Sequence, residues 1–228
     1  GESVVAPYLL SQGVRGLDLM LISHADNDHS GGAGAVRRLL KVRDERGALT
    51  ARPCRDGEKW EWDGVHFELL HPDEQSWNDN NSGCVLRVEV GGTALLLPAD
   101  IEKAAEARLL RDHPELLDAD VLIAPHHGSK TSSTPAFIEA VQPKVVIHSA
   151  GWRHHFHHPH PSVVKRYAQA GAFQCVTGRE GALSFALTPH GVMGVHRYRC
   201  EQAHWWNAAC ESLNPPPASI QFPPQDVK

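Results

Sequence analysis

The chain is short of the features that settle a protein's class at a glance. It has five cysteines in 228 residues and no Cys-x-x-Cys, so neither a zinc knuckle nor a clear disulfide framework can be read from spacing. Cys200 and Cys210 could pair, and could equally stay apart. No apolar run approaches the roughly 20 residues that cross a bilayer, and the N-terminus lacks the basic-then-apolar pattern of a secretion signal. The chain as it stands is expected to be soluble. Basic charge is also scarce: 22 Lys and Arg against 27 Asp and Glu leave a formal net charge of -5. That balance argues against holding nucleic acid through a broad basic surface. A local phosphate site stays open, because bound cations can carry the positive charge.

Histidine, by contrast, is plentiful, with 16 copies. The densest group is His24-Ala25-Asp26-Asn27-Asp28-His29-Ser30-Gly31-Gly32, four metal-ligand side chains within six residues followed by a glycine pair. The apolar run Leu19-Met20-Leu21-Ile22 precedes it and reads as a buried strand. The cluster therefore falls at the carboxyl edge of a sheet, where layered α/β proteins bind ligands. Gly31 and Gly32 permit a tight turn, and a helix is expected over 33–42. A lone histidine in such a place would be an ordinary polar loop residue. Two histidines and two aspartates together after a buried strand point to a metal.

The same punctuation recurs downstream. Residues 43–46 read as a charged turn, and 51–54 and 65–70 as strands. Residues 73–83 form a polar loop near the length at which loops tend to be functional. Strands over 84–90 and 93–97 are joined by Gly91-Gly92, a hairpin signal, and end on Pro98-Ala99-Asp100. After a helix carrying Ile101, Ala104, Ala105 and Leu109, the strand 120–124 stops at Pro125-His126-His127-Gly128-Ser129-Lys130. Ser133-Thr134-Pro135 opens a further helix. The strand 144–147 leads to a loop over 151–161 with five histidines, and a helix from Pro161 ends at Gly171. Strands over 173–177, 182–187 and 192–198 complete one α/β domain over 1–211. The proline-rich stretch 212–228 reads as a disordered tail.

Four strand ends thus deliver His24, Asp26, Asp28 and His29, then Asp100, then His126 and His127, then His158. This set of N and O donors exceeds the needs of one tetrahedral zinc and suits two divalent ions about 3.5 to 4 Å apart, an arrangement used for displacement at phosphorus. Asp100, from a separate strand, is the natural bridge. Carboxylates among the donors tilt the preference from zinc toward manganese or magnesium. Ser129 and Lys130 stand where they could contact a substrate phosphate, although Lys130 alone reads as readily as a solvated surface residue. Of six tryptophans, Trp77 and Trp152 lie on loops that flank the site and could stack on bases; the plainer reading of any tryptophan is core or rim. His66, His113, His190, His196 and His204 suggest no role.

Several stretches together resemble the metallo-β-lactamase-type domain of the ComEC competence proteins, inner-membrane channels for DNA uptake. They are Val5-Ala6-Pro7-Tyr8-Leu9, Ser23 to Gly32, Asn80-Asn81, Leu97-Pro98-Ala99-Asp100-Ile101-Glu102, His126-His127-Gly128-Ser129-Lys130-Thr131-Ser132-Ser133 and Trp152-Arg153 with Phe156-His157-His158-Pro159. The resemblance implies an αββα sandwich and a phosphodiesterase centre holding one or two divalent ions (Mn, Zn or Mg), a soluble domain on the extracytoplasmic face of the inner membrane. It further implies that the domain degrades one strand of incoming DNA beside the remainder of a parent channel protein, with no nucleotide cofactor. On this pattern His24 and Asp26 serve the first metal, Asp28 and His29 the second, and Asp100 bridges them. One of His126 and His127 is a further ligand while the other donates to substrate or leaving group, which gives Asp28, His127 and Lys130 catalytic roles. His158 is the last ligand, among the crowding His154, His155, His157 and His160. Ser129, Lys130, Asn80 and Asn81 meet substrate. Generic members of the superfamily have His at the position of Asp26 and another metal histidine near Asn80 and Asn81, and relatives often have Ser at Gly83. The family's opening strand and its Asp-Val-Gly-Gln-Gly-like motif are not found, which suggests a domain short of its first strands. Two further readings of the same residues are hydrolysis of a smaller phosphoester and a metal-stabilised module without turnover.

Overall fold

The computed structural model describes residues 1–202 except 74 and 154, together with 210 and 213. The expected tail over 212–228 and the boundary before it lie almost wholly outside the described residues, as do His204, Trp205 and Trp206. Helix α1 (Val5–Ser11) leads into β1 (Gly16–Ile22), the short α2 (Asn27–Ser30) and α3 (Ala33–Leu39), then β2 (Lys41–Gly47). Strands β3 (Lys59–Trp62), β4 (Val65–His71), β5 (Val85–Val90) and β6 (Thr93–Leu97) follow. After α4 (Lys103–Asp112) come β7 (Val121–Ile123), α5 (Pro135–Val141), β8 (Val145–His148), α6 (Pro161–Gln169) and β9 (Phe173–Val176). The short α7 (Thr177–Glu180), the hairpin β10 (Leu183–Thr188) and β11 (Gly191–Arg197), and α8 (Tyr198–Glu201) complete the described order.

Strands β3 to β9 form one seven-stranded sheet in sequence order. It is antiparallel from β3 to β6 and parallel from β6 to β9. The Gly91-Gly92 hairpin forms as expected. One face of the sheet packs against α4, α5 and α6 through Ala105, Leu109, Phe137, Ile138, Val163 and Tyr167. The other face is covered at one end by the β10–β11 hairpin, where Val195, Phe185 and Leu187 meet Val121, Ile147 and Phe173. At the other end it is covered by the parallel pair β1–β2, whose Leu21 packs with Leu69 and Leu86. With α1 and α3 outside β1–β2, the layers run αββα. Among the described residues no helix is long and apolar enough to cross a membrane.

Three expectations need correction. Residues 43–46, expected as a solvated turn, lie inside β2. Their charges are matched one by one: Arg43 to Asp18 at 2.7 Å, Glu45 to Arg37 at 2.7 Å, Arg46 to Glu58 at 2.8 Å. A strand whose polar residues find partners on neighbouring elements carries no alternation for hydropathy to detect. Residues 51–54, expected as a strand, are irregular, and the first strand of the large sheet is instead Lys59–Trp62, whose Trp60 stacks on Phe67 at 5.2 Å and lies under Arg46. The cysteines also depart from the open reading of their spacing. Cys54 is bonded to Cys84, 30 residues away, and Cys200 to Cys210, leaving Cys175 free and buried. Only the meeting of the 54 loop with the start of β5 brings the first pair within reach, which sequence spacing cannot show.

Two buried polar groups hold the sheet-edge loops. Glu106 of α4 is wholly buried and its carboxylate accepts from the Ser133 and Thr134 amides, with Thr134 at 2.8 Å, at the start of α5. Burial pushes its carboxyl up, against those bonds. His148, at the end of β8, donates from Nε2 to Gln174 Oε1 at 3.0 Å, and burial pushes its pKa down to about 4 against that bond. The unfolded chain takes up this proton near pH 6.5 and the folded chain only near 4, so stability is full above 6.5 and falls as pH drops between the two. The loss is about 3 kcal/mol. The difference in urea midpoint between pH 7.5 and pH 4.5 is therefore expected to shrink in His148→Gln, and an unchanged difference would place the acid sensitivity elsewhere.

Candidate metal centre

All four predicted loops meet at one edge of the sheets. Backbone bonds lock the last three together: His126 N to Ala99 O at 3.1 Å, Lys103 N to Thr131 O at 3.2 Å, and His160 N to Gly128 O at 2.9 Å. The turn that presents the paired histidines is unusual. His126 and His127 both have positive φ, 50° and 56°, and Ala99 before Asp100 has 52°. Non-glycine residues adopt this region at a cost and persist there only when the surroundings enforce it, a pattern concentrated at functional sites. Gly128 completes the turn at φ +85°, and a Cβ there would stand 2.7 Å from His148 Nδ1 and from the Pro159 ring, so no other residue fits. Gly31 needs no special φ, contrary to the tight-turn expectation. It is glycine because a Cβ would sit 2.4 Å from the Asn27 side chain.

Asp28, His29, Asp100 and His127 offer ligand atoms that all lie within 4.8 Å of one another. Asp100 is buried, and its two oxygens lie 3.2 Å from His29 Nε2 and 3.3 Å from His127 Nε2. Asp28 Oδ2 is 3.3 Å from the same His127 nitrogen. Burial would raise the Asp100 carboxyl, but hydrogen bonds from His127 and His29 outweigh it and hold the group well below the usual carboxylate range. The bond to Asp100 in turn raises His127, against burial. His29 Nε2 and His127 Nε2 face each other at 3.3 Å. At that distance one ring can donate to the other, or both nitrogens can face a shared cation. Two imidazole nitrogens and two carboxylates converging on one point are the donor types that divalent metals take, so the set fits such an ion on this chain's own geometry.

His24 and Asp26 form the adjoining pair. His24 is buried, its Nε2 lies 3.4 Å from Asp26 Oδ2, and its ring is 4.0 Å from that of His29. The Nε2 atom is buried without a hydrogen bond, and burial followed by the neighbouring His29 lowers its pKa, which favours the neutral ring. His126 is turned differently. Its Nδ1 lies 3.4 Å from both Glu102 Oε1 and Thr131 Oγ1, and its Nε2 is 3.9 Å from Asp100. His158 stands behind it with ring centroids 6.0 Å apart. A cleft of about 440 Å³ opens over the group, lined among others by Asp26, Asp28, Asn80, Asp100, His126, His127 and His158.

The expected substrate residues divide. Asn80 lines the cleft. Asn81 is buried and faces the protein: its Oδ1 accepts from the Glu102 and Ala105 amides at the start of α4, and its carbonyl lies 2.6 Å from His71 Nε2. The asparagine therefore holds the segment after Asp100 and has no face left for substrate. Ser129 is buried with its hydroxyl on Thr131 at 3.0 Å, and Lys130 is exposed and does not line the cleft. Trp77 is packed on His71 and the core, with its indole N–H on Asp73 at 2.7 Å, so it is a packing residue. Sequence reasoning missed Ser23 and Glu102. Ser23 Oγ lies 3.2 Å from His24 Nδ1 and 3.0 Å from His29 Nδ1. With metal at the Nε2 atoms both rings would carry Nδ1–H, and the hydroxyl oxygen, with two lone pairs, can accept from both. A serine directly before the first histidine was the available signal.

An αββα protein with histidine and aspartate donors gathered at one sheet edge is the class these features define. The family model for the metallo-beta-lactamase superfamily matches residues 2–152, and the chain belongs to that superfamily. It is 37% identical over 209 residues to Competence protein ComA of Neisseria gonorrhoeae, 32% over 206 residues to ComE operon protein 3 of Bacillus subtilis, and 34% over 173 residues to Recombination protein 2 of Haemophilus influenzae. These matches cover 90%, 81% and 72% of this chain but 30%, 26% and 21% of the relatives. The chain thus spans under a third of each, and the resemblance to the competence proteins is borne out over that share. Replacing Ser23 with Ala is expected to weaken Mn²⁺ or Zn²⁺ binding by about 10- to 100-fold in calorimetric titration while the metal-free melting temperature stays put. Ser23→Thr should restore it, and undiminished affinity in the alanine variant would remove the tautomer role.

Proposed function

We propose that this chain is a metal-dependent phosphodiesterase acting on DNA, the hydrolytic part of a DNA-uptake protein that degrades one strand of the incoming duplex. The observation that carries the reading is the gathering of Asp28, His29, Asp100 and His127 within 4.8 Å beneath an open cleft. Support comes from relatives named for competence and recombination. The residues that would hold two divalent ions are His24 with Asp26 on one side, and Asp28 with His29 and His127 on the other, with Asp100 between them and His158 beside His126. Such ions, when bound, supply Lewis-acid charge and bring the pKa of a water molecule near neutrality, so no serine or cysteine nucleophile is needed.

The chain's own groups do the rest. Ser23 fixes the ring orientation of His24 and His29. His126, steadied at Nδ1 by Glu102 and Thr131, presents Nε2 to the cleft as the proton donor for the departing oxygen. Asn80 offers its amide to a phosphate oxygen at the rim, and Lys130 steers the strand electrostatically from outside the cleft. The Cys54–Cys84 and Cys200–Cys210 disulfides suit an oxidising compartment, which supports placement on the extracytoplasmic face.

The purified chain is expected to cut DNA with Mn²⁺, Mg²⁺ or Zn²⁺ and to be silent in EDTA, and Asp28→Ala with His29→Ala should lower the rate by at least about 10³-fold. A panel of chromogenic phosphodiesters run beside DNA separates a nuclease from a small-phosphoester hydrolase. Metal binding with no turnover on either substrate would leave a structural metal module and sink the proposal.

A further inference from the structure

We infer that Trp152 and Phe156, with Arg153 as cation, form a stacking platform for unpaired nucleobases beside the cleft, and that it admits single-stranded nucleic acid in preference to duplex. The inference rests on the phosphodiesterase reading for where the backbone lies. Its binding test does not.

Trp152 and Phe156 are 54% and 63% exposed, although burial is the ordinary use of such rings. Phe156 and Gly151 line the same cleft as Asp26, Asp28 and His126, and Trp152 follows Gly151 directly. Each ring has neighbours that hold it. Phe156 lies against His158 with centroids 5.9 Å apart at 25° and against His155 at 3.9 Å. The Arg153 guanidinium stands 5.5 Å from the Trp152 ring centroid. The base of the loop is fixed, because Ala150 O accepts from Gly178 N at 2.8 Å and from Thr177 Oγ1 at 3.2 Å. Arg153 and His157 both hold left-handed backbone, φ 50° and 53°, a conformation maintained only where the surroundings impose it.

Charge gives the platform its purpose. The carboxylates of the cleft floor, Asp26, Asp28 and Asp100, are the groups that would hold the ions, and on a chain of net charge -5 the attraction of ions and Lys130 for phosphate draws paired and unpaired strands alike. Stacking is indifferent to that charge, tolerates any base, and needs a base whose faces are free. Bases inside a duplex are already stacked on both faces, so the rings sort unpaired from paired strands.

The test compares a short oligothymidylate with an abasic strand of equal length, both with phosphorothioate links to prevent cleavage, by fluorescence anisotropy with Mn²⁺ present. The wild-type chain should bind the base-bearing strand on the order of 10-fold or more tightly than the abasic one. Trp152→Ala with Phe156→Ala should bind both alike, at the abasic level and with an unchanged melting temperature, while Trp152→Phe keeps most of the preference. Retention of the full preference by the double variant, or its absence from the wild type, overturns the platform. Hydrolysis of the phosphodiester form of the oligothymidylate, at concentrations that saturate binding, reports the metal centre separately. Failure there with the base preference intact leaves the platform standing and removes only the phosphodiesterase reading.

Discussion

The buried carboxylate of Asp100 is the contact on which the site depends. It reaches His29 from the loop after β1 and His127 from the loop after β7, at 3.2 and 3.3 Å, and so joins both β layers of the sandwich. An ionised group so little exposed is tolerated only with partners. Here the partners are ligand-type nitrogens, so the requirement that stabilises Asp100 also aims His29 and His127 at one point. Asp28 also touches both imidazoles, at 3.3 Å from His127 and 3.8 Å from His29, but from an exposed position, so Asp100 is the buried contact between them.

Around that contact the protein is rigid where chemistry is expected and open where a polymer would enter. The loops carrying Asp100, His126, Thr131 and His160 are bonded to one another through the backbone, and Glu106 and Asn81 spend buried polar groups on tying α4 and α5 to them. The left-handed turn at His126 and His127 is sustained by this bracing. A flexible loop would relax it, and the histidines would swing off the cleft. At the rim, by contrast, Trp152 and Phe156 are exposed.

Much of this was legible in the residues. His24 to Gly32, Asp100 and the His126-His127 pair were visible because strand runs end where ligand-type residues begin, a pattern that tertiary packing does not alter. Gly128 stood in the motif, although its contact with His148 and Pro159 did not. What stayed hidden depends on distant partners. The strand Lys41–Gly47 was concealed by charges that find counterions only in the fold, and Cys54–Cys84 by a separation of 30 residues. The resemblance puts Asn81 beside the substrate, whereas its burial against α4 is a fact of packing. Ser23 was overlooked because a hydroxyl shared by two rings has no signature beyond its position before a histidine.

The His29–His127 contact spans 98 residues of chain, and that span has a kinetic meaning. Before folding, the stretch from His24 to His29 is a local and weak chelator, and the remaining donors are a long loop closure away. They arrive only when the parallel strands β6 to β8 have assembled, the slow kind of pairing. Any ion held with full affinity is therefore held by a finished fold. Metal supplied to a partly folded chain would meet half a site and exchange freely, and retention of the ion would serve as a clock for the completion of the sandwich.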